Sequence, residues 1–308
     1  MDDCLSNANG YGRRSNSGVD MAWSIHHVNM CAPKVDRMRV FLRDLVGIPE
    51  GEWVYPPAHQ MGEVGHAMDS LAYFGSDNRG IHAVKPISTF PRDNGLLINP
   101  TIGGHVAIGV DDIHQVMLAL DKASLPYDDA GIYAMKGVQQ VYTYDPNWNV
   151  IEFNQVVDGP GWEGIQTWEA DWGWGIHHVN LQAYDVRETA AFFSEIAGME
   201  EGTWDRGGTT GDFSIDPEDL TIFPLGDGNR GLHLIRPDPE FGRRNGFLTN
   251  PSIGGHPALM VPDIQAVMAR MDAAGWVYDD AGVYAMPGMH QIYTLDPSMR
   301  VVEINQKL

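Results

Sequence analysis

YDDAGIYAMKGVQQVYTYDP, residues 127–146, returns as YDDAGVYAMPGMHQIYTLDP at 278–297. Working outward, SIHHVNM (24–30) returns as GIHHVNL (175–181), NRGIHAVKP (78–86) as NRGLHLIRP (229–237), and NGLLINPTIGGH (94–105) as NGFLTNPSIGGH (245–256). Each residue in these stretches meets its counterpart 151 positions later, so the two copies align at these points without a net gap. Self-similarity on this scale means two copies of one domain. A chain of 308 residues suffices for two domains that each bury a core. The expected division is a polar tail over 1–22, a first domain over 23–156, a Gly- and Trp-rich linker over 157–174 and a second domain over 175–308.

Each copy repeats one order of elements. HHVNM reads as a strand, and DRMRVFLRDLVG has apolar residues at helical spacing with Gly47 placed to cap it. SLAYF and GIHAVKP are short strand-like runs bounded by Gly, Asn and Pro. GGHVAIGV restarts the cycle, DIHQVMLALDKASL is a second helix with Asp111 or Asp112 as its cap, and VQQVYTY and NVIEFNQ close it. The expected fold class is α+β, with four βαβββ modules, two in each half.

The balance of 20 Lys+Arg against 41 Asp+Glu gives a formal charge of −21, which repels phosphate backbones and anionic lipid and excludes nucleic acid and membrane surfaces as partners. Cys4 and Cys31 cannot form a disulfide framework and stand in no metal-ligand spacing. With no secretory leader or transmembrane run in the sequence, the expected location is the cytoplasm. Homo-oligomerisation stays open. No glycine-rich phosphate loop opens a helix, so no nucleotide cofactor is expected.

Of the 12 histidines, eight form matched pairs: His26/His177, His27/His178, His82/His233 and His105/His256. His59, His66, His114 and His290 have no histidine counterpart and read as surface or structural residues. Strand alternation places His105 with Ala107 and Gly109 on one face, with Val106, Ile108 and Val110 behind them. Glu152 likewise points away from Ile151 and Phe153, and His27 shares a face with Ile25 and Asn29 while His26 lies opposite. A mid-strand glutamate is costly to bury unless it is paired, protonated or metal-bound. Two histidines and a glutamate facing one cavity form a set suited to Fe(II), Mn(II) and related divalent ions. Any one of these residues alone would more often be structural; three on the open faces of three strands, repeated in both copies, favour metal. Arg92, Arg243 and Arg244 could meet an anionic substrate but read equally well as surface residues in a turn.

The four-module pattern, HHV in the first strand, GGH opening the second module and YTLDPSMRVVEINQ at the end together resemble the vicinal oxygen chelate superfamily, the glyoxalase, fosfomycin-resistance and dioxygenase group, over residues 23–306. The resemblance implies two tandem half-open barrels, each around one divalent metal. It implies metal ligands His27, His105 and Glu152 in one half and His178, His256 and Glu303 in the other. His82 and His233 would be either a fourth ligand, as in glyoxalase I, or a proton-shuttling histidine, as in extradiol dioxygenases. Tyr142 and Tyr293 resemble the active-site tyrosine of the latter.

The resemblance thus implies an enzyme acting on a small molecule with adjacent oxygens. The leading expectation is an extradiol-type dioxygenase with Fe(II) favoured. The alternative is a glyoxalase-like lyase, isomerase or epimerase with Mn, Ni, Co or Zn. A drug-sequestering protein comes last, since such proteins generally lack the ligands. Two complete sites favour a duplicated glyoxalase; the four-module length and the tyrosine favour the dioxygenase. His290 and Met299 depart from the extradiol pattern.

Overall fold

The computed structural model describes residues 22–56, 70–158, 173–211 and 214–308. Residues 1–21 of the expected tail, 159–172 of the expected linker, and both His59 and His66 lie outside the described residues. Among the described residues no helix is long and apolar enough to cross a membrane.

In the first half β1 (Trp23–Cys31) leads into α1 (Val35–Arg39), which continues as a wider π-helical stretch over Val40–Val46. Then come β2 (Leu71–Ser76), β3 (Arg79–Val84), α2 (Phe90–Asn94), β4 (His105–Val110), α3 (Ile113–Ala123), β5 (Tyr127–Ile132), β6 (Val138–Tyr144) and β7 (Val150–Val156). The second half repeats this as β8 (Gly175–Gln182), α4 (Val186–Ala197), β9 (Leu220–Pro224), β10 (Gly231–Ile235), α5 (Phe241–Asn245), β11 (His256–Met260), α6 (Ile264–Ala274), β12 (Tyr278–Val283), β13 (Met289–Leu295) and β14 (Val301–Lys307).

Each half builds one seven-stranded mixed sheet, in the orders β2-β3-β1-β4-β7-β6-β5 and β9-β10-β8-β11-β14-β13-β12. Among the described residues the outermost strands do not pair with each other, which leaves each sheet open there. The two modules of a half meet at its centre, where β1 lies beside β4 and β8 runs antiparallel to β11.

The first module of each half has three strands among the described residues, not the expected four. Ahead of β2, residues 48–56 carry Pro49, Gly51 and Pro56, which supply neither a regular alternation nor a full set of backbone donors. The segment touches the sheet edge through the Gly51 amide, which donates to the Tyr73 carbonyl at 2.8 Å; Gly202 donates to Ile222 in the same way.

The helices follow their caps. Asp112 accepts from the amides of His114 and Gln115 ahead of α3, and Asp185 and Asp263 cap α4 and α6. Gly47 ends the first helix with φ 92°. The π-helical stretch before it has no counterpart in α4, which is regular along its length.

The loop that delivers β4 is pinned from two sides. Asn99 accepts from the Thr101 amide and hydroxyl and donates to the Ile87 carbonyl, and Gly103 and Gly104 adopt φ of 89° and 73° immediately before His105. Buried Asp128 on β5 accepts from the amides of Leu97 and Ile98 at 2.9 and 2.7 Å; Asp279 does the same for Leu248 and Thr249. Removing this carboxylate leaves the buried Ile98 amide and the part-buried Leu97 amide without their acceptor, so Asp128→Ala is expected to cost about 1–3 kcal/mol in denaturant unfolding of the first half. A loss under about 0.5 kcal/mol would show that the loop holds itself.

Candidate metal centres

Five adjacent strands, β3, β1, β4, β7 and β6, present their chemistry toward one recess in the first half, and β10, β8, β11, β14 and β13 do so in the second. The register of the second half explains how. Ala258 on β11 stands opposite His178 on β8 and opposite Glu303 on β14, and Glu303 stands opposite Tyr293 on β13. Neighbouring strands lie about 4.8 Å apart, so an imidazole and a carboxylate two strands apart can meet only above a small residue. Ala258 leaves that gap, and fully buried Ala107 opposite Glu152 does so in the first half.

Across the gap, His27 Nε2 and His105 Nε2 lie 3.4 and 2.8 Å from Glu152 Oε2. In the second half His178 Nε2 and His256 Nε2 lie 3.5 and 3.1 Å from Glu303 Oε2. In each triad one ligand atom per residue lies within 4.8 Å of the others, with all three side chains buried. His105 Nδ1 donates to the Pro100 carbonyl at 2.9 Å, which leaves Nε2 as the nitrogen that faces the carboxylate. Two such imidazoles and one monodentate carboxylate fit a divalent cation, and the set leaves coordination positions open.

His82 and His233 are drawn into each recess but not into the triads. His82 stacks on His27 with ring centroids 3.8 Å apart and donates from Nε2 to the Asn78 carbonyl at 2.8 Å; His233 stacks on His178 at 4.0 Å and donates to Asn229. A neutral imidazole that donates from Nε2 keeps its lone pair on Nδ1. The NRG motif is thereby explained. Asn78, at φ 59°, clamps both backbone groups of Val54 with its side-chain amide while its carbonyl orients His82, and Asn229 repeats this toward Asp205. A Cβ at Gly80, between the two, would lie 2.1 Å from the Phe74 carbonyl oxygen.

Tyr142 and Tyr293 lie beside the carboxylates, as register requires, but through residues that strand reading had passed over. Gln140 Nε2 contacts both the Tyr142 hydroxyl and Glu152 Oε1 at 2.8 Å, while its Oε1 accepts from the Ala134 amide. Gln291 makes the same set with Tyr293, Glu303 and Ala285. Occupying Oε1 turns the other carboxylate oxygen to the imidazoles. The signal was present in the sequence: each Gln recurs in both copies, two residues before its Tyr.

The remaining sequence candidates lie elsewhere. His114 is exposed at the start of α3, and His290 pairs with Asp280 at the surface. Arg92, Arg243 and Arg244 pair with Asp93, Glu240 and Asp238, and none lines a recess.

Burial alone would raise the Glu152 carboxyl, but the imidazoles of His27 and His105 more than offset it and hold it well below the usual carboxylate range; Glu303 behaves alike. Burial lowers His27 despite the opposing pull of Glu152, and burial with the adjacent His27 lowers His82 further. Burial and the nearby carboxylates push the Tyr142 and Tyr293 phenols well above their ordinary value.

The recesses, counted with the space open to solvent at their mouths, measure about 410 and 430 Å³ in the first and second halves. Their walls correspond almost residue for residue, the main change being Val84 to Ile235. Among the described lining residues the only charged or titratable side chains are His, Tyr and Glu, with no Lys or Arg.

No protein-family model matches the chain, and no curated protein matches it in sequence. Its structure is similar to that of an Mn(II)-bound glyoxalase from Novosphingobium aromaticivorans, with TM-score 0.54, 13% identity, and coverage of 97% of this chain and 83% of that one. It is similar to a catechol 2,3-dioxygenase at TM-score 0.57 and 12% identity, covering 92% of this chain and 87% of the other. A homoprotocatechuate 2,3-dioxygenase from Arthrobacter globiformis matches at TM-score 0.58 and 13% identity, covering 92% and 79%. The two seven-stranded sheets are therefore the tandem fold that these glyoxalase and dioxygenase structures share.

The gap above Ala258 gives a direct test. Ala258→Leu should halve metal uptake measured by elemental analysis of the folded protein, and adding Ala107→Leu should nearly abolish it, with overpacking costing about 1–3 kcal/mol at each site. Full metal content in the double variant would remove the gap from the account.

Proposed function

We propose that the protein is a metal-dependent enzyme acting on a small molecule with adjacent oxygens, and that its reaction is extradiol-type dioxygenation of an uncharged catechol at two equivalent sites. The carrying observation is that among the described residues each cluster that could hold an ion has three members, two histidines and a glutamate. His82 and His233 have their Nε2 atoms tied to backbone carbonyls and stack beside the ligand imidazoles, which supports a proton-handling role over a fourth ligand. A two-histidine, one-carboxylate set with open positions is the arrangement of non-haem Fe(II) oxygenases.

His27, His105 and Glu152, and likewise His178, His256 and Glu303, would hold the ion. Fe(II) held there would supply a Lewis acid for the two substrate oxygens and a redox partner for O₂. The chain's own groups do the rest. His82 Nδ1, the basic nitrogen of a ring anchored by Asn78, takes a proton from a substrate hydroxyl and returns it during ring opening. The Tyr142 hydroxyl accepts from Gln140 and stays protonated beside Glu152, and its hydrogen bond turns from that carboxylate to a substrate oxygen. Buried apolar walls exclude water. One ring C–C bond breaks and both atoms of O₂ enter the product, so no outside reductant is needed.

The recess also selects the substrate. With no Lys or Arg in either described lining, a carboxylate or phosphate on the substrate would lose hydration without gaining a partner. This weighs against a hemithioacetal of an acidic thiol, although two complete sites are also what a duplicated glyoxalase would carry.

Anaerobically purified protein is expected to hold iron near two equivalents and to consume O₂ with uncharged catechols, with kcat/KM at least about tenfold above that for a ring-carboxylated catechol. His105→Ala or His256→Ala should each remove about half of the metal, consistent with loss of one ligand set. Tightly held nickel or zinc, no O₂ uptake and turnover of a hemithioacetal would replace this reading with the isomerase.

A further inference from the structure

Alternation along β8 should send His177 away from the recess, yet its Nδ1 lies 2.9 Å from Nδ1 of His178; His26 and His27 meet in the same way at 3.0 Å. The pairing of β8 with β11 shows the cause. Ala258 stands opposite His178 while the next residue, Leu259, stands opposite Ile176, so His177 is the extra residue of a β-bulge. A bulge re-aims a side chain that strict pleating would direct elsewhere.

Both rings are buried, His26 at 0% and His177 at 2% exposure, and in both the Nε2 atom has no hydrogen-bond partner among the described residues. A buried imidazole with one nitrogen unsatisfied is costly. The side-chain contact that each ring makes is at Nδ1, to the neighbouring triad histidine, and His177 also meets the Gly228 backbone. The same arrangement occurs in both halves.

We propose that His26 and His177 are positioning residues that accept the Nδ1 proton of His27 and His178 and so hold the Nε2 lone pair of each triad histidine toward the metal. This rests on the metal sites proposed above. The proton count leads to it. Two neutral imidazoles whose Nδ1 atoms meet share one proton between them, one donating and the other accepting. A metal ligand at Nε2 must carry its proton on Nδ1, which makes the bulged histidine the acceptor. Ligand histidines commonly have a carboxylate or carbonyl in this position. Here a second imidazole, brought in by the bulge, takes it. A neutral acceptor fixes the tautomer without adding a second negative charge beside Glu303.

The test uses full-length protein carrying His105→Ala, which confines metal to the second half. Co(II) affinity of the metal-free protein is compared for His177, His177→Asn and His177→Leu, with the melting temperature of the metal-free form as the control for folding. Asparagine can place Oδ1 where the imidazole Nδ1 stood; leucine cannot accept. His177→Leu should weaken Co(II) binding by about 10- to 100-fold, and His177→Asn should restore it to within about threefold. Unchanged affinity in His177→Leu, or equal losses in the two variants, would overturn the proposal. His256→Ala in the same background separates the underlying reading: if Co(II) binding survives it, the metal site itself is wrong, and if only the His177 series is flat, the site stands and the positioning role falls.

Discussion

A glutamate buried at the centre of a sheet is the constraint on which each half depends. An ionised carboxylate removed from water must be compensated by nearby cations or strong donors, or it will take up a proton. Glu152 and Glu303 are 1% and 2% exposed, and each has two imidazoles within 3.5 Å of one oxygen and a glutamine amide on the other. Two bare imidazole nitrogens and one carboxylate oxygen, gathered this tightly among buried side chains, are repulsive toward one another unless a proton or a cation lies among them. The geometry is therefore organised around a positive charge.

The surrounding fold keeps that cluster from collapsing or drifting. The central strand contributes alanine where the flanking strands contribute the histidine and the glutamate, so the side chains meet above it. A glutamine on the next strand fixes which carboxylate oxygen faces the imidazoles. An asparagine in the left-handed region orients the stacked histidine through its carbonyl while its side chain holds the loop of Trp53 or Trp204, whose indole lies edge-on to that same histidine. These supports recur in both halves with little change in the recess walls, as expected if the same small, uncharged substrate is handled twice.

Much of this was legible before any coordinates, because two copies of one domain act as their own comparison. Repetition singled out His27, His105 and Glu152 among many histidines and acids, and period-two alternation placed them on open strand faces, where the structure brings them together. What escaped notice depended on local geometry that alternation does not encode. The bulge at His177 breaks the very rule used to set His26 and His177 aside. Gln140 and Gln291 looked like ordinary strand polar residues because their importance comes from a strand pairing. Among the described residues the first module of the first half has three strands, and Pro49, Gly51 and Pro56 interrupt the ladder ahead of the second of them. The role of Asn78 escaped as well, since nothing in the sequence shows its side chain reaching back to Val54.

Anomalous diffraction at the iron edge from crystals grown anaerobically with Fe(II) tests the central claim most directly. The account predicts two peaks per chain, one bounded by His27, His105 and Glu152 and the other by His178, His256 and Glu303, with His82 and His233 outside the coordination shell. A peak ligated by His82 or His233, or no ordered metal at either triad, would contradict it.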